Sequence, residues 1–156
     1  EPEIWQKAED NQYVPETSLT ETEIRMPGGH LTIAQLIALL NTIPMEIPFV
    51  DVDNINRFFN EGPKDFKRPG MAIDREVFSC HPPKIEATVR RIIGEFRAGA
   101  LDEVPIWMDK NGKCMLVRYM AVRDKEGKYL GTLELVQDMG FAKEHFQPEK
   151  RQEEIW

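Results

Sequence analysis

Apolar and strand-favouring residues dominate positions 104–138 and predict three long strands joined by tight turns. Positions 113–123 are almost entirely apolar or strand-favouring, and Asn111-Gly112 before them marks a hairpin turn. A second polar turn, which ends in glycine, leads into positions 129–138. Because both faces of these strands carry apolar side chains, we expect one face to be buried and the other to be at least partly covered.

Two helices are indicated by apolar spacing and by end signals. Positions 32–42 repeat apolar residues at helical intervals, and Thr32 with Gln35 forms a capping-box sequence. Positions 83–98 carry a second apolar stripe, begin with a proline, which the first helical turn tolerates, and end before Gly99. This longer helix is the element against which we expect the sheet to pack.

The remaining segments complete an α+β plan. A strand at 47–53 and a return strand at 55–60 predict a first hairpin, and a short edge strand is expected at 19–26. Positions 61–85 are rich in proline and indicate an irregular functional region, with one helical turn at 74–78. The predicted fold class is therefore α+β, with a five-stranded antiparallel sheet and helices on one face. The predicted core comprises Phe49, Ile55, Phe58, Val89, Ile92, Ile93, Phe96, Leu116, Leu133 and Leu135.

Length and composition fit one domain with extensions at both ends. The chain has 156 residues and a formal net charge of −7, which argues against a nucleic-acid surface. The longest apolar run, 33–40, is too short to span a bilayer, so no membrane segment is expected. Two cysteines imply no disulfide framework and suit a reducing cytoplasm. Because the first residue is Glu rather than Met, we expect the chain to be a piece of a longer protein.

The sequence from 111 to 138 resembles the C-terminal half of a PAS domain. The matching features are Asn-Gly, a strand, a polar turn, then Tyr-Leu-Gly-Thr-Leu-Glu-Leu and a closing Asp138. PAS domains commonly end this strand in Asp-Ile-Thr; here Asp-Met-Gly stands in its place, so only the Asp matches. The resemblance implies a PAS-like domain at 29–140, an N-terminal extension at 1–28 and a C-terminal helical extension at 141–156.

The pentapeptide Cys80-His81-Pro82-Pro83-Lys84 indicates a resemblance to one particular group of PAS domains. It looks like the motif of PAS domains that lie C-terminal to hemerythrin-like domains in bacterial proteins. This likeness extends over 29–138 and implies a sensory role and an upstream domain in the same longer chain. It names no ligand, so no ligand-binding residue is carried over from it.

His81 has three interpretations. In the first, its ring hydrogen-bonds a nearby carbonyl and fixes the turn before Pro82. In the second it ligates heme iron, since imidazole is the usual proximal group and some PAS domains hold heme through a histidine near the long helix. In the third it makes a polar contact to an organic ligand. Because the following proline restricts the histidine backbone to extended geometry, the ring direction is set rigidly in all three cases.

Cys80 is a candidate reactive thiol next to His81, but adjacent residues seldom direct their side chains at one another. A small buried apolar filler is the interpretation that we favour for this cysteine. His30, His81 and His145 lie far apart in sequence without metal-ligand spacing, so no protein-built metal site is predicted.

Strand 113–123 decides which side chains line a pocket. Either Arg118 faces inward with Leu116, or Tyr119 does with Met115. We favour Tyr119 inward, because Arg123, the charged residue on the face of Tyr119, lies only at the strand end. Arg118, if buried, would have to bind an anion or a carboxylate. The candidate ligand-binding residues are His81, Cys80, Trp107, Met108, Tyr119, Arg118 and Gln137.

The sequence therefore predicts a non-catalytic, cytoplasmic PAS sensor or interaction module. It would bind a small molecule or a protein partner between the sheet and the long helix, and relay binding through the terminal segments. One alternative is a heme-based gas or redox sensor ligated by His81. Another is a ligand-free homodimerisation module that uses the outer sheet face. A thiol enzyme using Cys80 and His81 is the interpretation that we favour least.

Overall fold

The computed structural model describes residues 21–61 and 73–147, apart from the side chain of Cys80. Its main sheet has five antiparallel strands in the order β4-β3-β7-β6-β5, with helices α1, α2 and α3 around it. The predicted α+β fold class is confirmed. The elements are β1 (Glu23–Met26), β2 (Gly29–Thr32), α1 (Ile33–Thr42), β3 (Phe49–Asp51), β4 (Asn56–Phe58), α2 (Pro83–Arg97), β5 (Glu103–Lys110), β6 (Lys113–Arg123), β7 (Tyr129–Asp138) and α3 (Gly140–His145).

A small hairpin and the first helix precede the main sheet. β1 and β2 pair antiparallel around the turn at 27–28, so the predicted edge strand exists, whereas its partner strand was not predicted. The capping box is confirmed: the Gln35 backbone N–H donates to Thr32 Oγ1 at 3.1 Å, and the Thr32 N–H donates to Gln35 Oε1 at 2.9 Å. These bonds satisfy two backbone groups at the start of α1.

The long helix α2 packs on one face of the sheet, which we call the inner face. Its side chains Val89, Ile92, Ile93 and Phe96 are buried, as predicted, and Phe96 is 0% exposed. They join inner-face residues of the sheet in one cluster. The inner-face members of that cluster include Val50, Met115, Val117, Tyr119 and Val136.

Five of the predicted core residues lie on the opposite, outer face instead. Phe49, Phe58, Leu133 and Leu135 are only partly buried, and the pairing of Phe49 with both Phe58 and Leu133 places them on one side. Leu116 is buried at 8% exposure, yet it also lies on the outer face, opposite Gln137. The prediction was wrong because β7 carries apolar residues at both parities, so alternation alone did not identify the inner face.

The irregular region and the turns around it are also resolved in part. The helical turn expected at 74–78 is a 3₁₀ turn at Val77–Cys80, immediately before α2. The rest of the proline-rich stretch, 62–72, lies outside the described residues, as do 1–20 and 148–156. None of the helices in the described ranges has the length and apolar character needed to cross a bilayer.

Candidate functional site

The inner face of the sheet opposite α2 is the candidate site. Register places Tyr119 of β6 opposite Glu134 of β7 and opposite Val104 of β5. Met108 lies on the same face, opposite Met115. The prediction that Tyr119 faces inward is confirmed, because Tyr119 belongs to the buried cluster and is 8% exposed. Two of the candidate ligand-binding residues, Met108 and Tyr119, are therefore together on this face.

Three other candidates lie on the outer face and cannot line a pocket between the sheet and α2. Trp107 pairs with Leu116, which in turn pairs with Gln137, and Trp107 is 66% exposed. Arg118 lies on the same outer face, where its Nε donates to Glu103 Oε2 at 2.8 Å. This pair raises the pKa of the guanidinium above its ordinary value, mainly through that side-chain hydrogen bond. Adjacent strand positions face opposite sides, so Trp107 and Met108 could not both face inward.

The His81 ring is held at the corner between the 3₁₀ turn and α2. Its Nδ1 lies 2.9 Å from the Val77 carbonyl oxygen. A carbonyl oxygen only accepts, so Nδ1 carries the proton and donates, which leaves Nε2 as the nitrogen available to other groups. The His81 backbone is extended, with φ −112° and ψ 144°, as expected before proline. The first interpretation of His81, a ring that fixes this turn through a carbonyl, therefore agrees with the geometry.

Other residues proposed from the sequence do not assemble into a metal site. His30 Nδ1 pairs with Glu23 on the β1–β2 hairpin at 2.7 Å, and the His145 ring packs against Phe146 at the C-terminal end. Within the described residues, no group of three or more His, Cys, Asp or Glu side chains could hold a metal ion. The side chain of Cys80 lies outside the described part of the chain, so its predicted role stays a prediction.

Two buried polar residues at this site were not predicted. Glu46 is 4% exposed and Asn60 is 2% exposed. The backbone N–H of Glu46 donates to the Val136 carbonyl at 3.0 Å and its carbonyl accepts from the Val136 N–H at 3.1 Å, which extends the sheet beyond β3. Because directly opposite residues share a face, Glu46 lies on the inner face with Val136. The apolar run that starts at Ile47 predicted a strand there, but no local signal includes Glu46.

The C-terminal helix docks at the first residues of β6. The Met139 N–H donates to the Cys114 carbonyl at 2.7 Å, and Lys143 Nζ lies 3.5 Å from Cys114 Sγ. Asp138 Oδ1 accepts from the Gly140 N–H at 2.8 Å and so bonds the first residue of α3. The closing Asp thus makes a local hydrogen bond at the start of α3, even though the residues after it differ from Ile-Thr. These contacts connect the sheet to α3.

Comparisons with known proteins identify a matching family model and solved structures of similar fold. A family model described as a PAS domain matches residues 36–140. A crystal structure of a C-terminal domain from Streptococcus mutans is 35% identical, covering 80% of this chain and 98% of that chain, with a TM-score of 0.75. The VqmA dimer of Vibrio cholerae is 21% identical over 72% of this chain and 53% of that chain, with a TM-score of 0.52, and so supports the fold alone. No curated protein matches the chain.

Proposed function

The chain belongs to the PAS domain family, and on that premise we propose that it is a non-catalytic sensor module. Its signal would be a small molecule or a protein partner that binds between the sheet and α2. The observation that supports this most is that the inner face carries both polar and apolar side chains. Buried polar groups of Tyr119 and Glu46 lie among aliphatic side chains of the sheet and the helix. A few polar groups on an otherwise apolar concave surface are typical of small-molecule sites.

The relay would run along β6 to the C-terminal helix. Tyr119 lies on this strand, and the Cys114 carbonyl at its start accepts the Met139 N–H. A ligand that binds one arrangement of the inner face more tightly would shift the population of α3 between docked and released states. Output then depends on the difference in ligand affinity between the two states.

Native mass spectrometry of the chain, purified without denaturation, tests this proposal. We expect a stoichiometric small-molecule adduct that is weakened in Tyr119→Phe, while Tyr129→Phe, a matched loss of a hydroxyl at the first residue of β7, retains it. Amide hydrogen exchange in residues 140–145 should change when the adduct is removed. A chain that binds no small molecule and no protein partner, with unchanging exchange at α3, would rule the proposal out.

Heme is the ligand alternative that His81 favours. A histidine that ligates a metal usually donates its other ring N–H to a carbonyl or carboxylate, and the bond from Nδ1 to Val77 O has that form. Nε2 would be the ligating atom, and heme iron would supply gas binding or electron transfer. Protein expressed with heme supplied should then show a Soret band that is lost in His81→Ala and kept in His145→Ala. A spectrum without that band removes this alternative.

Homodimerisation through the outer sheet face is a second candidate function, favoured by Trp107. This large side chain is 66% exposed beside Leu116, on a face that also presents the Arg118–Glu103 ion pair. Exposed aromatic residues next to Arg are typical of interface centres. The outer face would then carry the interaction, and the inner face would need no ligand.

We also propose the wider context that the sequence motif suggests. The pentapeptide from Cys80 to Lys84 supports a position after a hemerythrin-like domain in a bacterial protein. Two cysteines without a disulfide framework support a cytoplasmic location. A co-expressed upstream domain that alters hydrogen exchange in this chain would support the association, and an unchanged exchange pattern would contradict it.

A further inference from the structure

A thiol, an amine and a carboxylate meet on the outer face at the start of β6. Lys143 Nζ donates to Cys114 Sγ at 3.5 Å, and the thiol is directed at Asp109 Oδ1, 3.8 Å away. Asp109 is directly opposite Cys114 in the register of β5 and β6. Because Cys114 is only half-buried and the other two residues are exposed, small molecules in the solvent can reach this cluster.

Hydrogen bonds at the start of α3 fix the lysine relative to the sulfur. The Met139 N–H donates to the Cys114 carbonyl at 2.7 Å, and the Lys143 N–H donates to the Met139 carbonyl at 3.0 Å. The lysine therefore lies one helical turn after a residue that is bonded to the cysteine itself. No flexible loop has to close before the amine meets the sulfur, so the entropic cost of bringing them together is already met by the fold.

The separation of this sulfur and this nitrogen is suited to a reaction between them. Groups held about 3–3.5 Å apart react as though at a very high local concentration. The side chain of lysine is a flexible carbon chain, so a shorter distance requires only its own rotations and no movement of the strand. A cysteine that has been oxidised to a sulfenic acid condenses with a nitrogen nucleophile to a sulfenamide. The cluster thus supplies both halves of a covalent link.

We propose that Cys114 and Lys143 form a covalent sulfur–nitrogen link when hydrogen peroxide oxidises the thiol, and that this link holds α3 on the sheet. In the first step the O–O bond of the peroxide breaks, the sulfur gives up two electrons and becomes a sulfenic acid, and water leaves. In the second step the neutral Nζ attacks the sulfur, the S–N bond forms, and the S–O bond breaks. The hydroxyl leaves with a proton from the nitrogen as a second water.

This link would act on the same helix as the proposed relay but needs no ligand on the inner face. Its formation removes one hydrogen atom from the sulfur and one from the nitrogen, and a thiol reductant reverses it. In the linked chain α3 has only its docked state, whereas in the reduced chain it can also be released. The oxidation state of Cys114 would therefore control the C-terminal helix independently of the proposed ligand.

Peptide mass spectrometry of the 156-residue chain after treatment with hydrogen peroxide tests the link. Cys80→Ser serves as the parent, because it removes the other cysteine and with it any disulfide within the chain. We expect a cross-linked peptide pair that contains Cys114 and Lys143, is lighter than the two peptides by two hydrogen atoms, and disappears with dithiothreitol. Lys143→Arg should abolish it, because the guanidinium keeps the charge but stays protonated and does not attack the sulfur.

Lys113→Arg is the matched control. Lys113 is next to Cys114 in the chain, but adjacent strand positions face opposite sides of the sheet, so this variant should keep the cross-link. Amide hydrogen exchange in residues 140–145 should slow at least tenfold on oxidation of the parent and stay unchanged on oxidation of Lys143→Arg. Circular dichroism melts of the reduced variants check that each is folded, and Lys143→Arg replaces an exposed side chain.

Two results would overturn the proposal. The first is a folded, peroxide-treated parent in which Cys114 is oxidised to sulfenic or sulfinic acid and no cross-link to Lys143 forms. The second is a cross-link that leaves hydrogen exchange in residues 140–145 as fast as in the reduced chain, because the link would then not hold α3. Native mass spectrometry of the small-molecule adduct is a separate measurement, so failure of this proposal leaves the proposed ligand binding intact.

Discussion

At the scale of single residues, Asp51 shows how a surface carboxylate organises the first hairpin. Its Oδ2 accepts from Arg57 Nε at 2.6 Å, and its Oδ1 accepts from the backbone N–H groups of Asp53 at 2.8 Å and Ile55 at 3.1 Å. Burial by itself raises the pKa of Asp51, but the bonds from Arg57 and the two backbone groups outweigh it. The net result is a pKa below the ordinary value of 3.8.

This lowered pKa predicts the pH dependence of one variant. Because the native pKa of Asp51 lies below its unfolded value, the stabilisation is fully present above the unfolded pKa and is lost as the pH falls through the native pKa. Asp51→Asn should therefore lower the free energy of unfolding at about pH 7, and the difference from the parent chain should shrink towards about pH 3. Urea unfolding at both pH values measures it.

The control for that experiment is Asp53→Asn, in the same turn. The backbone N–H of Asp53 donates to Asp51 Oδ1, but its side chain is exposed. This replacement should therefore leave the free energy of unfolding nearly unchanged. A difference between the parent chain and Asp51→Asn that persists undiminished at low pH would contradict the assignment of the charge. It would show instead that the amide side chain introduced by Asp51→Asn destabilises the turn because it does not fit, independently of the lost charge.

At the scale of elements, two glycines test the packing of β7 and of α2 separately. A Cβ atom at Gly131 would collide with the Val50 carbonyl oxygen and would lie 2.7 Å from Cζ of Phe49. A Cβ atom at Gly94, in the middle of α2, would meet nothing within 4 Å. The first glycine allows β3 to approach β7, whereas the second makes no close contact.

Alanine at these two positions should have opposite effects on stability. Gly131→Ala must push β3 away from β7 and should cost roughly 2 kcal/mol or more of unfolding free energy. Gly94→Ala should add about 0.5–1 kcal/mol, because alanine is the better helix former in open space. Urea unfolding of both variants checks the pair. A neutral Gly131→Ala would contradict the close approach of the Val50 carbonyl and the Phe49 ring to this glycine.

Elements were largely predictable because their signals are local. The turn at Asn111-Gly112 and the capping box at Thr32 lie within a few residues of the ends that they define, and the strand bounds from 104 to 138 agree with the structure to within one residue. β2 was missed, since Gly29 and His30 carry no strand pattern and pair only because β1 lies beside them. Pairing between strands this short depends on the tertiary structure and not on the local sequence.

Which side chains of each strand lie on the inner face was less predictable than where the strand begins and ends. Tyr119 was placed correctly, because the charged residues at its parity, Lys113 and Arg123, lie at the two ends of the strand. For β7 the sequence misled, since Leu133 and Leu135 face outward while Glu134 and Thr132 share the inner face with Val136. The inner-face position of Glu46 depends on pairing across 90 positions of sequence with Val136, for which the sequence holds no local signal.

At the scale of the whole molecule, the two faces of one sheet support two different proposed interactions. The inner face packs on α2 and presents Tyr119, Glu46 and Glu134, which suit a small polar molecule. The outer face presents Trp107 and Leu116 with a mixed-charge pair, which suit a second protein surface. Since α3 docks at Cys114 on the strand shared by both faces, an event on either face would reach the C-terminal segment.

Dimerisation through the outer face predicts a specific effect of Trp107. If two copies meet there, the ring of Trp107 is buried in the assembly and Trp107→Glu places an unpaired charge in it, which should weaken association at least tenfold. Sizing with light scattering across concentrations should show the parent chain and Trp107→Phe dimerising, while Trp107→Glu stays monomeric. Melting of the dilute monomers should be alike, because Trp107 is 66% exposed in the single chain. A parent chain that stays monomeric at every concentration would rule out dimerisation through the outer face.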